Sequence, residues 1–190
     1  MLSWTLYYKK VLVMLNIALI VSEEDAQSLN LLSKGLNKQS VSSCVLGENT
    51  HAHITLAHID AGIDEAEYLW QRFLEYGIPL SYSVVLKSFC IDAPHDGRVY
   101  TSFLLEEWGK LSKIQDKVLN IVSDYNVHSE VGVDFRPHIT LSCHECHGLV
   151  LPKLSAVKPP FKRVQAYLCI GTRESNGRMD QVLFKQEIEG

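Results

Sequence analysis

The tetrapeptide His53-Ile54-Thr55-Leu56 recurs unchanged as His138-Ile139-Thr140-Leu141, 85 residues further along the chain. Side chains of a strand alternate between its two faces. Read as strands, both copies send Ile and Leu to one face and His and Thr to the other. The apolar pair can be buried, which leaves an imidazole and a hydroxyl displayed together above the sheet. Two such strands facing each other make a cleft with two imidazoles and two hydroxyls. Those groups suit acid–base chemistry on a phosphate.

The rest of the chain can support such a cleft. Its 190 residues suit one domain or two small lobes sharing a core, and 46% apolar with 21% charged residues is ordinary for a soluble globular protein. The net charge of −4 argues against a broad basic surface for duplex DNA, though not against a local pocket for a nucleotide or RNA end. Five cysteines (Cys44, Cys90, Cys143, Cys146 and Cys169) form no regular framework, so a reduced, cytoplasmic setting is expected. Lys9 and Lys10 precede an apolar run over 11–21 that resembles a secretory signal. The run is too short to span a membrane, is interrupted by Asn16, and lacks a clean cleavage site, so a buried first strand is the expectation. Residues 1–13 are read as an N-terminal extension and residues 14–190 as a single domain, expected to be monomeric and not membrane-bound.

The expected order is β, α, β, α, β, β, α, β, β, β. Residues 12–21 read as a strand. Ser22 caps a helix with Asp25 as capping-box partner, and Leu29, Leu32 and Leu36 form its stripe. Residues 44–57 read as a strand broken by the turn Gly47-Glu48-Asn49. A helix over 60–76 turns Ile63, Ala66, Trp70, Phe73 and Leu74 inward and stops at Gly77. Strands follow at 79–91 and 98–105, joined by a turn over 92–97. A helix over 106–125 buries Trp108, Leu111, Ile114, Val118, Ile121 and Val122. The second motif lies in a strand over 135–142, a Pro- and Lys-containing loop spans 153–160, and strands over 161–171 and 179–186 form a hairpin around 174–177.

Histidine titrates near ~6.5, so one ring can be neutral and the other charged near neutral pH. A neutral ring can take a proton from water while a charged one protonates the leaving oxygen. Thr55 and Thr140 can donate hydrogen bonds to non-bridging phosphate oxygens, where charge develops in the transition state. The scheme needs no metal and no cofactor.

With these residues the chain resembles the 2H phosphoesterase superfamily, which includes 2′-5′ RNA ligase-like proteins and cyclic nucleotide phosphodiesterases. The resemblance runs from about residue 14 to 186 and is closest over 135–141, Phe-Arg-Pro-His-Ile-Thr-Leu. It implies a bilobal α+β fold with pseudo-twofold symmetry, in which two antiparallel sheets line a central cleft with helices outside. It also implies metal-independent opening of 2′,3′-cyclic phosphates on nucleotides or RNA ends, or cleavage or joining of 2′,5′ linkages. By similarity His53, Thr55, His138 and Thr140 take the catalytic positions, with His138 as base and His53 as acid. The product would be a phosphomonoester, at the 2′ position if it follows the family.

Other residues have an ordinary structural role beside a functional one. Arg136, two residues before His138, shares its face if both lie in a strand, and either binds phosphate or pairs with a carboxylate. Lys87 and Arg98 are weaker cations for the cleft. Tyr82, Phe89, Tyr100, Phe103 and Tyr167 could stack a base, but each is more often a core or half-buried strand residue. Trp70 and Trp108 are expected in the core. His51 extends the His53 face or ends the strand in solvent. His58 is read as a surface residue beyond the strand, and His95 and His128 as loop residues without partners. Cys143, His144, Glu145, Cys146 and His147 have spacings that could ligate zinc with help from Cys90 or Cys169, although a loop leaving the catalytic strand is the simpler reading. The alternative functions are hydrolysis of 2′,5′-linked or cyclic oligonucleotide signals, a nucleotide- or RNA-binding module without turnover, and a zinc-dependent protein centred on residues 143–147.

Overall fold

The computed structural model describes residues 12–37, 42–48, 50–93, 97–106, 108–145, 157–173 and 178–185. The first eleven residues, His95, Cys146, His147 and the turn at 174–177 lie outside these.

The apolar run forms strand β1 (Leu12–Val21). Helix α1 (Glu23–Asn37) follows at once, with the Ser22 hydroxyl accepting the Asp25 amide at 3.2 Å. Glu23, Glu24 and Asp25 place negative charge at its N-terminus, where the helix dipole favours it. The expected capping box is only half formed. Asp25 turns instead to β7 (Arg163–Arg173), accepting the Gln165 amide at 2.6 Å.

The strand expected over 44–57 is two strands in different parts of the sheet. Gly47 adopts φ 77°, a left-handed turn open to glycine at little cost, and separates β2 (Ser42–Val45) from β3 (His53–Gly62). β3 runs past the expected end at residue 57, because residues up to 62 pair with the start of β1. The next helix is therefore shorter than expected. A 3₁₀ turn (Ile63–Glu65) leads into α2 (Ala66–Glu75), and Gly77, at φ 61°, follows the stop. Its buried residues are Ala66, Leu69 and Phe73. Ile63 and Leu74, expected inward, are 50% and 41% exposed. The later helix start takes Ile63 off the stripe, and Leu74 falls beside the inward line of positions 66, 69 and 73. Trp70 is half-buried and stacks on Phe184.

Strands β4 (Ser81–Asp92) and β5 (Arg98–Leu105) precede α3 (Trp108–Ile121). Leu111, Ile114, Val118 and Ile121 are buried as expected, but Trp108 begins the helix and stays 42% exposed. The second motif opens β6 (His138–Glu145) rather than sitting inside a strand from residue 135. Pro137 has no amide hydrogen for a ladder, and pairing starts just after it. Cys143 and His144, read as a loop, are buried in this strand. β7 and β8 (Met179–Lys185) complete the chain.

The eight strands form one antiparallel path, β2-β6-β5-β4-β7-β1-β3, with β8 added to β7. β4 bridges the halves, pairing with β7 through residues 81–85 and with β5 through residues 86–92. The sheet curls until Cα atoms of β3 and β6, which share no ladder, come within 8 Å. Leu15, Leu19, Ile54, Leu56, Phe73, Phe103, Ile139 and Leu141 belong to one continuous core. Each of these large side chains contributes roughly 1.5–3 kcal/mol by leaving water. No helix among the described residues is long and apolar enough to cross a membrane.

Both motif strands carry a bulge at the same residue. Opposite β1, the register passes from Thr55 to Ala57 and skips Leu56. Opposite β5, it passes from Thr140 to Ser142 and skips Leu141. An extra residue reverses the side-chain alternation beyond it.

Candidate active site

The motif geometry is duplicated down to single atoms. His53 Nδ1 lies 2.7 Å from the His51 carbonyl, and His138 Nδ1 lies 2.7 Å from the Arg136 carbonyl. A carbonyl only accepts, so each ring donates its Nδ1 proton. This sets the tautomer, with Nε2 as the lone-pair nitrogen of each neutral ring. His53, Thr55, His138 and Thr140 are all partly exposed, while Ile54, Leu56, Ile139 and Leu141 are buried. The alternation read from the repeat is therefore realised in both strands.

Neighbouring strands supply the floor. Thr55 sits opposite Ala18, and His58 opposite Asn16. On the other half, Ser88, Leu104 and His138 form one cross-strand row, and Cys90, Ser102 and Thr140 the next. Small side chains beside each threonine keep its hydroxyl accessible.

The two histidines differ in their surroundings. Asn16, fully buried in β1, places Nδ2 3.3 Å from His53 Nε2. An amide N–H there donates to the lone pair of a neutral ring. Burial pushes the His53 imidazole down to about 4; the His51 carbonyl opposes that shift, while His138 and His51 add to it. His53 is thus uncharged near neutral pH.

Asn16 was legible only as an interruption of an apolar run. A polar residue at an inward position of a strand is the signal for a buried partner, here His53. Two further groups lie by the same floor. His58, expected at the surface, is only 9% exposed, because β3 continues and the Leu56 bulge returns it to the His53 face. Burial, with Arg173 next in weight, pushes its imidazole down to about 3, and its Nε2 has no hydrogen-bond partner among the described residues. Arg173, half-buried in β7, donates through Nη1 to the Met14 sulfur, and its Nε has no partner among the described residues. Nothing in the local sequence marked Arg173 as a cleft cation; only the β1–β7 pairing brings it there.

Arg136 is exposed and precedes β6, in a stretch where burial still alternates: Phe135 and Pro137 are buried, while Arg136 and His138 are not. It makes no ion pair among the described residues and lines a shallow pocket of about 450 Å³ with His128, Ser129, Glu130, Val131 and Asp134. His128 does have a partner, Asp60, at 2.7 Å. The chain after α3 folds back on β3, as the His128 amide bond to the His58 carbonyl shows. His51 is exposed and borders a larger depression of about 1470 Å³ walled by Glu23, Glu24, Asp25 and Asp180. That acidic lining disfavours a phosphate.

Of the remaining candidates, Tyr167 lies in one cross-strand row with Ile20 and His53. Lys87 is exposed, Arg98 is half-buried at the start of β5, and Tyr82 and Phe103 are core residues. Phe89 packs edge-on against Phe103. Tyr100 and Tyr167 are half-buried. His144 Nε2 is engaged by the Ser142 hydroxyl at 2.7 Å, and that hydroxyl lies 2.5 Å from Thr101 Oγ1. No group of three His, Cys, Asp or Glu side chains suited to a metal occurs among the described residues.

The fold is shared with solved structures of other proteins. Escherichia coli LigT in complex with 3′-AMP superposes with a TM-score of 0.64 at 14% identity, covering 94% of this chain and 99% of that one. LigT with phosphate gives 0.56 at 14% identity, covering 92% and 96%. Kluyveromyces marxianus Usb1 gives 0.42 at 18% identity, covering 72% of each chain. No family model and no curated protein matches the sequence.

Proposed function

We propose that this protein is a 2H-type phosphodiesterase that opens 2′,3′-cyclic phosphates on nucleotides or RNA ends without a metal or cofactor. The observation that carries the reading is the duplicated anchor. Two imidazoles on strands that approach across the curl each donate Nδ1–H to the carbonyl two residues back, which makes Nε2 the lone-pair nitrogen of each neutral ring, shared at His53 with the Asn16 amide. Two rings on opposite sides of a phosphorus suit in-line displacement. LigT, whose fold this chain shares, is seen with 3′-AMP and with phosphate, ligands of the same chemical class.

In this scheme a water attacks phosphorus and gives its proton to one ring. The bond from phosphorus to one ribose oxygen breaks, and that oxygen takes a proton from the other ring. A phosphomonoester results, and returning the proton between the rings through solvent resets the site. Thr55, Thr140 and Arg136 hold the non-bridging oxygens. The family resemblance made His138 the base. The environment of His53 favours the opposite order for hydrolysis: a ring held neutral down to about pH 4 is ready to accept a proton and poorly supplied with one to give.

The test is turnover of 2′,3′-cyclic nucleotides, cyclic-phosphate RNA ends, 2′,5′-linked oligonucleotides and cyclic dinucleotides, with and without chelator and with products located as 2′ or 3′. Chelator-resistant opening of the cyclic phosphates is expected. Turnover confined to 2′,5′ linkages, or abolished by chelator, would overturn the reading.

A further inference from the structure

Two buried polar side chains hold the two bulges. Ser33, fully buried in α1, donates its hydroxyl to the Leu141 carbonyl at 2.5 Å and accepts the Leu46 amide at 3.0 Å. Gln115, 1% exposed on the apolar face of α3, donates Nε2 to the Leu56 carbonyl at 2.9 Å and to the Glu130 carbonyl at 3.0 Å. Leu141 and Leu56 are the residues that the β5 and β1 ladders skip.

The connections are crossed. α1 follows β1 yet packs behind β6, while α3 follows β5 and packs behind β3. Leu46 stands seven residues before His53, and Glu130 eight residues before His138. Each side chain therefore ties the bulge of one motif to the segment that feeds the other motif. A change in either tie is felt by both histidines.

Neither group is there for apolar packing. A leucine or alanine would fit the stripes of these helices better, and Gln115 Oε1 is buried without a partner among the described residues. What both supply is a donor to the carbonyl of the residue that the ladder register skips. Without that donor, a slip of one residue would pair the carbonyl and turn the motif's His and Thr to the opposite face.

We propose that Ser33 and Gln115 are positioning residues for the two-imidazole centre, fixing both bulges and so the spacing and tilt of His53 against His138. The proposal rests on the reading of the cleft as a phosphodiesterase site. Neither residue touches substrate. A misplacement of about 1 Å at a reacting group can cost on the order of 10²-fold in rate.

Gln115→Met and Ser33→Ala come close to the native volumes and remove the donors. With a 2′,3′-cyclic nucleotide as substrate, each variant of the full chain is expected to lose about 10- to 100-fold in kcat, with KM changed less than about threefold. The thermal midpoint of Gln115→Met should move little, since the unpartnered oxygen disappears with the amide. Ring ¹⁵N–¹H resonances of both His53 and His138 should shift in each variant, because each tie reaches both motifs. An unchanged kcat, or a fall matched by loss of folded protein, would overturn the proposal. If the native chain opens no cyclic phosphate, the functional reading fails, and the ring resonances of the unliganded variants still decide the positioning role: unmoved rings refute it.

Discussion

Asn16 Nδ2 approaches His53 Nε2 at 3.3 Å from the interior of the first strand. The amide favours the uncharged ring, because an imidazolium would present a proton to another donor. Asn16→Leu preserves the volume and removes the donor. Burial still depresses the pKa of His53, but the ring should protonate at a higher pH than in the native chain. Loss of this hydrogen bond should cost roughly tenfold in kcat/KM near pH 7, corresponding to about 1.4 kcal/mol. Steady-state kinetics, with folding followed by circular dichroism, check it; native kinetics would show that Asn16 does not orient the ring.

Removal of either imidazole should be severe and local. His53→Ala and His138→Ala are each expected to lower cyclic-phosphate opening by ~10²–10⁴-fold, and the double variant by little more than the worse single one. Thr55→Val and Thr140→Val should cost roughly 10²-fold, mainly in kcat, if the hydroxyls serve the charge that develops on phosphate. Since all four side chains are partly exposed, thermal melts should stay close to native. Near-normal turnover in either alanine variant would remove that histidine from the mechanism.

The pH dependence tests whether the His53 ring takes part in proton transfer. Either order of acid and base needs one ring protonated and the other neutral, so kcat/KM should rise with pH through about 4 and then level off. A profile with no limb near 4 would remove His53 from the proton transfers. A profile on substrate below its KM, repeated on Asn16→Leu, reads this directly. In the variant the rising limb should lie at higher pH.

His58 links folding to pH. Its ring is pushed down to about 3 in the folded chain and titrates near ~6.5 when unfolded, so below pH 6.5 the unfolded state binds the proton that the folded state refuses. Stability from this group is complete above about 6.5 and is lost as pH falls toward 3. The slope approaches about 1.4 kcal/mol per pH unit within that window. Denaturant unfolding of His58→Gln should show a correspondingly flatter acid limb. An equal slope in variant and native chains would mean that His58 charges without penalty.

What the amino-acid order alone determined is periodic and local. The alternation in the two motifs settled which side chains meet solvent and which enter the core, and the stripes Leu29-Leu36 and Leu111-Val118 marked two helices. Local chemistry also placed Ser22 before α1 and Gly77 after α2. What tertiary structure decided depends on partners distant in the chain. Residues 42–45 and 53–62 look like one strand until β6 and β1 claim them separately. His58 becomes buried, and His128 meets Asp60, because pairing with β1 carries β3 on and the bulge at Leu56 resets its faces. Ser33 and Gln115 carry no local signal, and their role shows only where the skipped carbonyls of Leu141 and Leu56 lie beside them. Side-chain alternation is a property of neighbouring backbone torsions, so sequence displays it. Register, bulges and the burial of a polar group depend on which strand or helix arrives from elsewhere, and only the folded chain brings that partner.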